Sequence, residues 1–163
     1  MRFVSCYIVG FGCFVNRQFD LSRNIVTMKE DNGWGKTTLS AFLESMLYGF
    51  EGRSKDVSSN ERMKYAPWSG GEYGGALVFI YNGKTYRIER SFGRTPSADT
   101  VRIFDGNNML VYDFGVKAER LGEILFGLER ITLKIAQFVL AVKTDRINAF
   151  GDGIKPQNPL RFL

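Results

Sequence analysis

Lys29-Glu30-Asp31-Asn32-Gly33-Trp34-Gly35-Lys36-Thr37-Thr38 runs straight into Leu39, Phe42, Leu43, Met46 and Leu47 at helical spacing, with Gly49 beyond them. A glycine-rich turn feeding an amphipathic helix aims backbone N–H groups, and the positive end of the helix, at one point in space, which suits an anion. The pattern G-x-x-x-x-G-K-[ST] is met by Gly35, Lys36 and Thr37, whereas its first glycine falls on Glu30. Each retained residue has its own task in such a loop. Gly33 and Gly35 let the backbone approach phosphates, Lys36 meets the β- and γ-phosphate oxygens, and the Thr37 hydroxyl holds Mg²⁺. Thr38 caps or supports the loop. The Glu30 carboxylate works against an anionic ligand unless it turns outward. The expected binding set is therefore Asp31, Asn32, Gly33, Trp34, Gly35, Lys36, Thr37 and Thr38, with Thr37 the metal ligand. ATP and Mg²⁺ are the expected cofactors, adenine being favoured because the chain lacks an Asn-Lys-x-Asp guanine-recognition stretch.

The flanking sequence supplies the context such a loop needs. Residues 24–29 form a short strand candidate leading into it, and Gly49 is placed to end the helix that follows. Upstream, residues 2–9 and 13–19 are β-branched and aromatic runs on either side of Gly10-Phe11-Gly12, the pattern of a hairpin. Downstream, residues 51–74 end in Tyr65-Ala66-Pro67-Trp68-Ser69-Gly70-Gly71 and carry too much glycine, serine and charge for a regular element. A long loop is expected there. Residues 75–81 and 84–90 flank Asn82-Gly83, a two-residue turn in which both positions take positive φ. Residues 100–104 and 109–112 form a further hairpin candidate, and residues 116–126 a helix. Residues 129–143 read as a helix, or as a helix turning into a strand at 137–142. The fold class expected from this order is α/β, a P-loop NTPase with antiparallel hairpins and a phosphate-loop helix.

Composition excludes several other chemistries. The 163 residues are 44% apolar and 24% charged, with 14 Phe and 7 Tyr, and suffice for one packed core. There is no histidine, so neither a Cys/His zinc site nor a histidine-based triad can be built, and Cys6 and Cys13 are expected to be reduced thiols. No apolar run reaches membrane-spanning length, and a cytoplasmic location is expected. The net charge of +5 is compatible with attraction to phosphates, but Lys and Arg are spread along the chain, so DNA is one candidate partner beside a merely solvated basic surface. Gly10-Phe11-Gly12 and Asp113-Phe114-Gly115 look like protein-kinase elements. Without a His-Arg-Asp catalytic loop they read better as a hairpin turn and an accidental tripeptide.

Six ordered blocks together resemble the N-terminal half of an ATP-binding-cassette-type head of the SMC-like, SbcC-like AAA-family ATPases. They are Tyr7-Ile8-Val9-Gly10-Phe11-Gly12-Cys13-Phe14, the loop at 29–38, Phe42-Leu43-Glu44-Ser45-Met46-Leu47-Tyr48-Gly49, Tyr65-Ala66-Pro67-Trp68-Ser69-Gly70-Gly71 with Tyr73-Gly74-Gly75, Tyr86-Arg87-Ile88-Glu89-Arg90 with Phe92-Gly93, and Leu125-Phe126-Gly127-Leu128-Glu129-Arg130. The resemblance covers residues 1–150, leaving 151–163 as an irregular, truncated tail. It treats Glu30 as a family variant. It implies an ATP-binding lobe of a chromosome-maintenance or DNA-repair type ATPase, closing on a second head, with hydrolysis only when a C-terminal half supplies Walker B and signature motifs. A non-catalytic DNA- or protein-binding module is the alternative. The family's metal- and water-positioning glutamine falls on Ala141 in a gapless reading, with Gln137 four residues earlier the nearest substitute.

Overall fold

The computed structural model describes residues 2–23, 31, 33–50 and 60–111. They belong to the first of two compact units, Met1–Arg130; the second, Ile131–Leu163, lies outside the described residues. So do the expected strand at 24–29, the helix at 116–126, the segment at 129–143 with Gln137, and the tail.

The described residues form a five-stranded sheet in the order β2-β1-β3-β4-β5. β1 (Arg2–Phe11) and β2 (Phe14–Asp20) turn about Gly12-Cys13, and β3 (Gly74–Tyr81) and β4 (Lys84–Ser91) turn about Asn82-Gly83. Asn82 and Gly83 have φ of 48° and 75°, the left-handed conformations that a two-residue hairpin of matching twist demands. β5 (Thr100–Asp105) follows a 3₁₀ turn at Pro96–Ala98 and lies antiparallel to β4. Residues 109–111 return beside β5 through a single bridge, Phe104 to Leu110, rather than as a full strand.

Between β2 and β3 in sequence comes α1 (Lys36–Tyr48). Leu39, Phe42, Met46 and Leu47 are buried, and α1 lies on β3 and β4. The facing surface of the sheet carries Cys6, Ile8, Leu77, Phe79 and Ile88, all at most 1% exposed, because alternate residues of a strand share a face. Gly49, at φ 72°, closes the helix with its N–H on the Ser45 carbonyl at 2.8 Å. That same carbonyl accepts from Arg90 Nη1 at 2.8 Å, so a buried cation from β4 sits where the helix dipole is negative. A second apolar cluster gathers around Phe11, whose ring meets those of Phe42, Phe50, Tyr65, Tyr73 and Phe92 at centroid distances of 5.3 to 6.2 Å.

Two expectations are corrected. The segment at 51–74 is not loop throughout, since α2 (Glu61–Lys64) forms a single turn whose start is capped by the Asn60 side chain, which accepts from the Met63 N–H. The larger correction concerns fold class. Every strand pair among the described residues is antiparallel, and β1 and β3, the strands either side of the β2–α1 excursion, are themselves antiparallel neighbours. A P-loop NTPase of the ABC-head kind is built on a parallel sheet fed by helical crossovers. The described residues instead make a small α/β unit, an antiparallel sheet covered on one face by α1. The physical reason is the turns: Gly12-Cys13 and Asn82-Gly83 reverse the chain within two residues, a step open only to antiparallel neighbours.

Candidate functional site

The residues expected to bind phosphate meet at the N-terminal end of α1, against the β1–β2 turn. Asp31 opens a tight turn there, its carbonyl accepting the Trp34 N–H at 3.2 Å and Lys36 Nζ at 3.4 Å. Asn32 lies outside the described residues. Gly33, at φ 91°, is exposed, and a Cβ on it would meet nothing within 4 Å. Gly35, at φ 113°, occupies the N-cap position, and its carbonyl accepts the Leu39 N–H at 2.8 Å to begin the helix.

Glycine at 35 is required on two grounds. The backbone is left-handed, and a Cβ would lie 2.6 Å from Phe14 Cζ and 2.8 Å from Cys13 Sγ. The loop therefore rests on the β1–β2 turn with no side chain between. Trp34 fixes it from the other direction, its half-buried indole edge-on to Phe14 and Phe19 at 5.5 and 5.9 Å. Gly12 in turn faces Thr38, for a Cβ there would lie 2.8 Å from Thr38 Cγ2. Thr38 thus packs inward, while Lys36 and Thr37 stand exposed in the first helical turn.

The electrostatics of this end suit an anion. No side chain caps the start of α1, and no acidic residue lies in its first turn. The first N–H groups of a helix have no intrahelical acceptor and carry the positive end of its dipole. Lys36 adds an exposed cation, one of whose acceptors is the Asp31 carbonyl of the same loop. No group of three or more potential metal-ligating side chains occurs among the described residues.

Two contributors escaped the sequence reading. Cys13 and Phe14 form the floor under Gly35, a role with no sequence signal because it depends on where the hairpin turn lands. The Tyr65–Trp68 segment reaches the same turn: Gly12 donates to the Tyr65 carbonyl at 2.8 Å, and Trp68 donates to the Gly12 carbonyl at 3.0 Å. Elsewhere, a shallow depression of about 220 Å³ on the other face of the sheet is lined by Tyr7, Glu72, Ala76, Glu89 and Arg102. No helix among the described residues is long and apolar enough to cross a membrane.

No family model matches the chain. It is 41% identical over 78 residues to the uncharacterized protein YhaN of Bacillus subtilis (strain 168), a stretch that is 47% of this chain and 7% of that protein. The chain thus spans less than a tenth of the relative it matches, and that relative's name carries no activity. These findings, with the antiparallel sheet, correct the reading as the N-terminal lobe of an SMC-like ATPase. The descriptions Walker A, AAA-family, ABC-type and DNA-repair ATPase fall with it.

Proposed function

We propose that residues 31–38 and the first turn of α1 bind the phosphate groups of a nucleotide, with ATP and Mg²⁺ the ligand expected. The observation that carries this reading is the uncapped, acid-free start of α1, entered through two left-handed glycines and flanked by the exposed Lys36 and Thr37. Backbone N–H groups and Lys36 would hold phosphate oxygens, and the Thr37 hydroxyl would supply one ligand to Mg²⁺. The role is binding, and no residue is assigned to bond breaking. A cytoplasmic setting belongs to the same proposal, and the free thiols of Cys6 and Cys13 fit it.

Titration calorimetry of the full chain with ATP in excess Mg²⁺ tests the proposal. Lys36→Ala is expected to weaken binding tenfold or more, about 1.4 kcal/mol or above, the scale of a lost charge-assisted hydrogen bond. Unchanged affinity in that variant would show that the loop is not the site.

A further inference from the structure

We infer that Trp68 is the platform on which the base of the bound nucleotide stacks. The inference rests on the phosphate-binding reading of residues 31–38 and extends that site to the part of the ligand the loop does not touch. Trp68 is 77% exposed, the most exposed large apolar residue among those described. The packing of the fold gives no reason for an indole so placed.

Its backbone, by contrast, is firmly held. The two hydrogen bonds to Gly12 clamp the Tyr65–Trp68 segment across the β1–β2 turn, and Tyr65 is buried with its ring stacked on Phe11 at 5.3 Å and 19°. α2 is fixed from behind, where Arg62 makes a bidentate pair with Asp99 at 2.6 and 2.8 Å. Hydrogen bonds therefore hold the backbone of a solvent-exposed tryptophan at Gly12, and Gly12 is the residue that touches Thr38 at the start of α1. The Trp68 backbone and Thr38 in the first turn of α1 thus both adjoin Gly12.

An aromatic face offers dispersion and stacking to any base, with no hydrogen-bond code, so the chemistry recognised is a nucleotide with its base rather than a bare polyphosphate. Purines, with the larger ring system, are favoured over pyrimidines. Inorganic tripolyphosphate carries the phosphates without base or sugar and separates the two halves of the site.

The experiment is a pair of titrations of the full chain in Mg²⁺, with ATP and with tripolyphosphate, on the wild type, Trp68→Ala and Trp68→Phe. The wild type is expected to prefer ATP by roughly tenfold, the scale of one base–aromatic stack. Trp68→Ala should bring ATP down to the affinity of tripolyphosphate and leave tripolyphosphate unchanged, while Trp68→Phe should keep most of the preference. Because the ring is exposed, its removal leaves the core intact. Equal affinity of the wild type for both ligands, or an equal loss of both in Trp68→Ala, overturns the role of Trp68 and leaves the phosphate loop standing. Failure of the wild type to bind either ligand overturns the phosphate loop and this inference together.

Discussion

Gly33 and Gly35 stand two residues apart in the same loop, yet the surroundings make them unequal. A Cβ at 33 enters open space and meets only the cost of a left-handed φ, whereas at 35 it collides with Phe14 and Cys13 as well. Gly33→Ala is expected to cost about 1 kcal/mol in urea unfolding and Gly35→Ala clearly more, roughly 2–4 kcal/mol. The two cysteines divide in a similar way. Burial pushes the Cys6 thiol up to about 12, while Cys13 is half-exposed at the loop. Iodoacetamide at pH 8 should therefore label Cys13 in the folded protein and spare Cys6, read by peptide mass spectrometry. The sign of the linkage follows. The unfolded thiol ionises near pH 9 and the folded one near 12, so what a neutral Cys6 contributes is complete below pH 9 and is lost as pH rises toward 12. At this scale the sequence was informative about Gly35, Lys36 and Thr37, which local spacing brings together. It was silent on Cys13 and Phe14, whose contact with Gly35 is made only by the fold.

Among the elements, α1 and the paired strands were legible because their signals are local: apolar residues at helical spacing, Gly49 at the helix end, Asn82-Gly83 at a turn. α2 was not, because a four-residue helix has no periodicity to read, and much of what holds it comes from far along the chain. Arg62 pairs with Asp99 and donates to the Gly93 carbonyl, its guanidinium lies 5.1 Å from the Phe50 ring centre, and Asp99 also accepts the Gly93 N–H. With side chains only 11% and 18% exposed, this pair is expected to show a coupling of about 1–3 kcal/mol in a double-mutant cycle of Arg62→Ala and Asp99→Ala. The Arg102–Glu89 pair, longer at 3.4 Å and with Arg102 largely exposed, should couple by no more than about 0.5 kcal/mol. Equal couplings would show that α2 is not anchored through Asp99.

For the molecule as a whole, the antiparallel hairpins were expected and the P-loop NTPase fold class was misread, and the reason is a competition between two local signals. The loop at 30–38 suggested a P-loop NTPase by association with the folds that usually carry it, while the hairpin turns dictated antiparallel neighbours by geometry. Geometry decided. The proposed function is accordingly attached to a site, the start of α1 seated on the β1–β2 turn, and not to a fold family. Backbone ¹⁵N–¹H spectra of the full chain, recorded while ATP is added in the presence of Mg²⁺, address that site atom by atom. The largest saturable shifts are expected at the amides of Gly33, Gly35, Lys36 and Thr37, with Trp34 following, and Lys36→Ala should abolish them. Shifts confined to other parts of the sheet, or none at saturating ATP, would contradict phosphate binding at the start of α1.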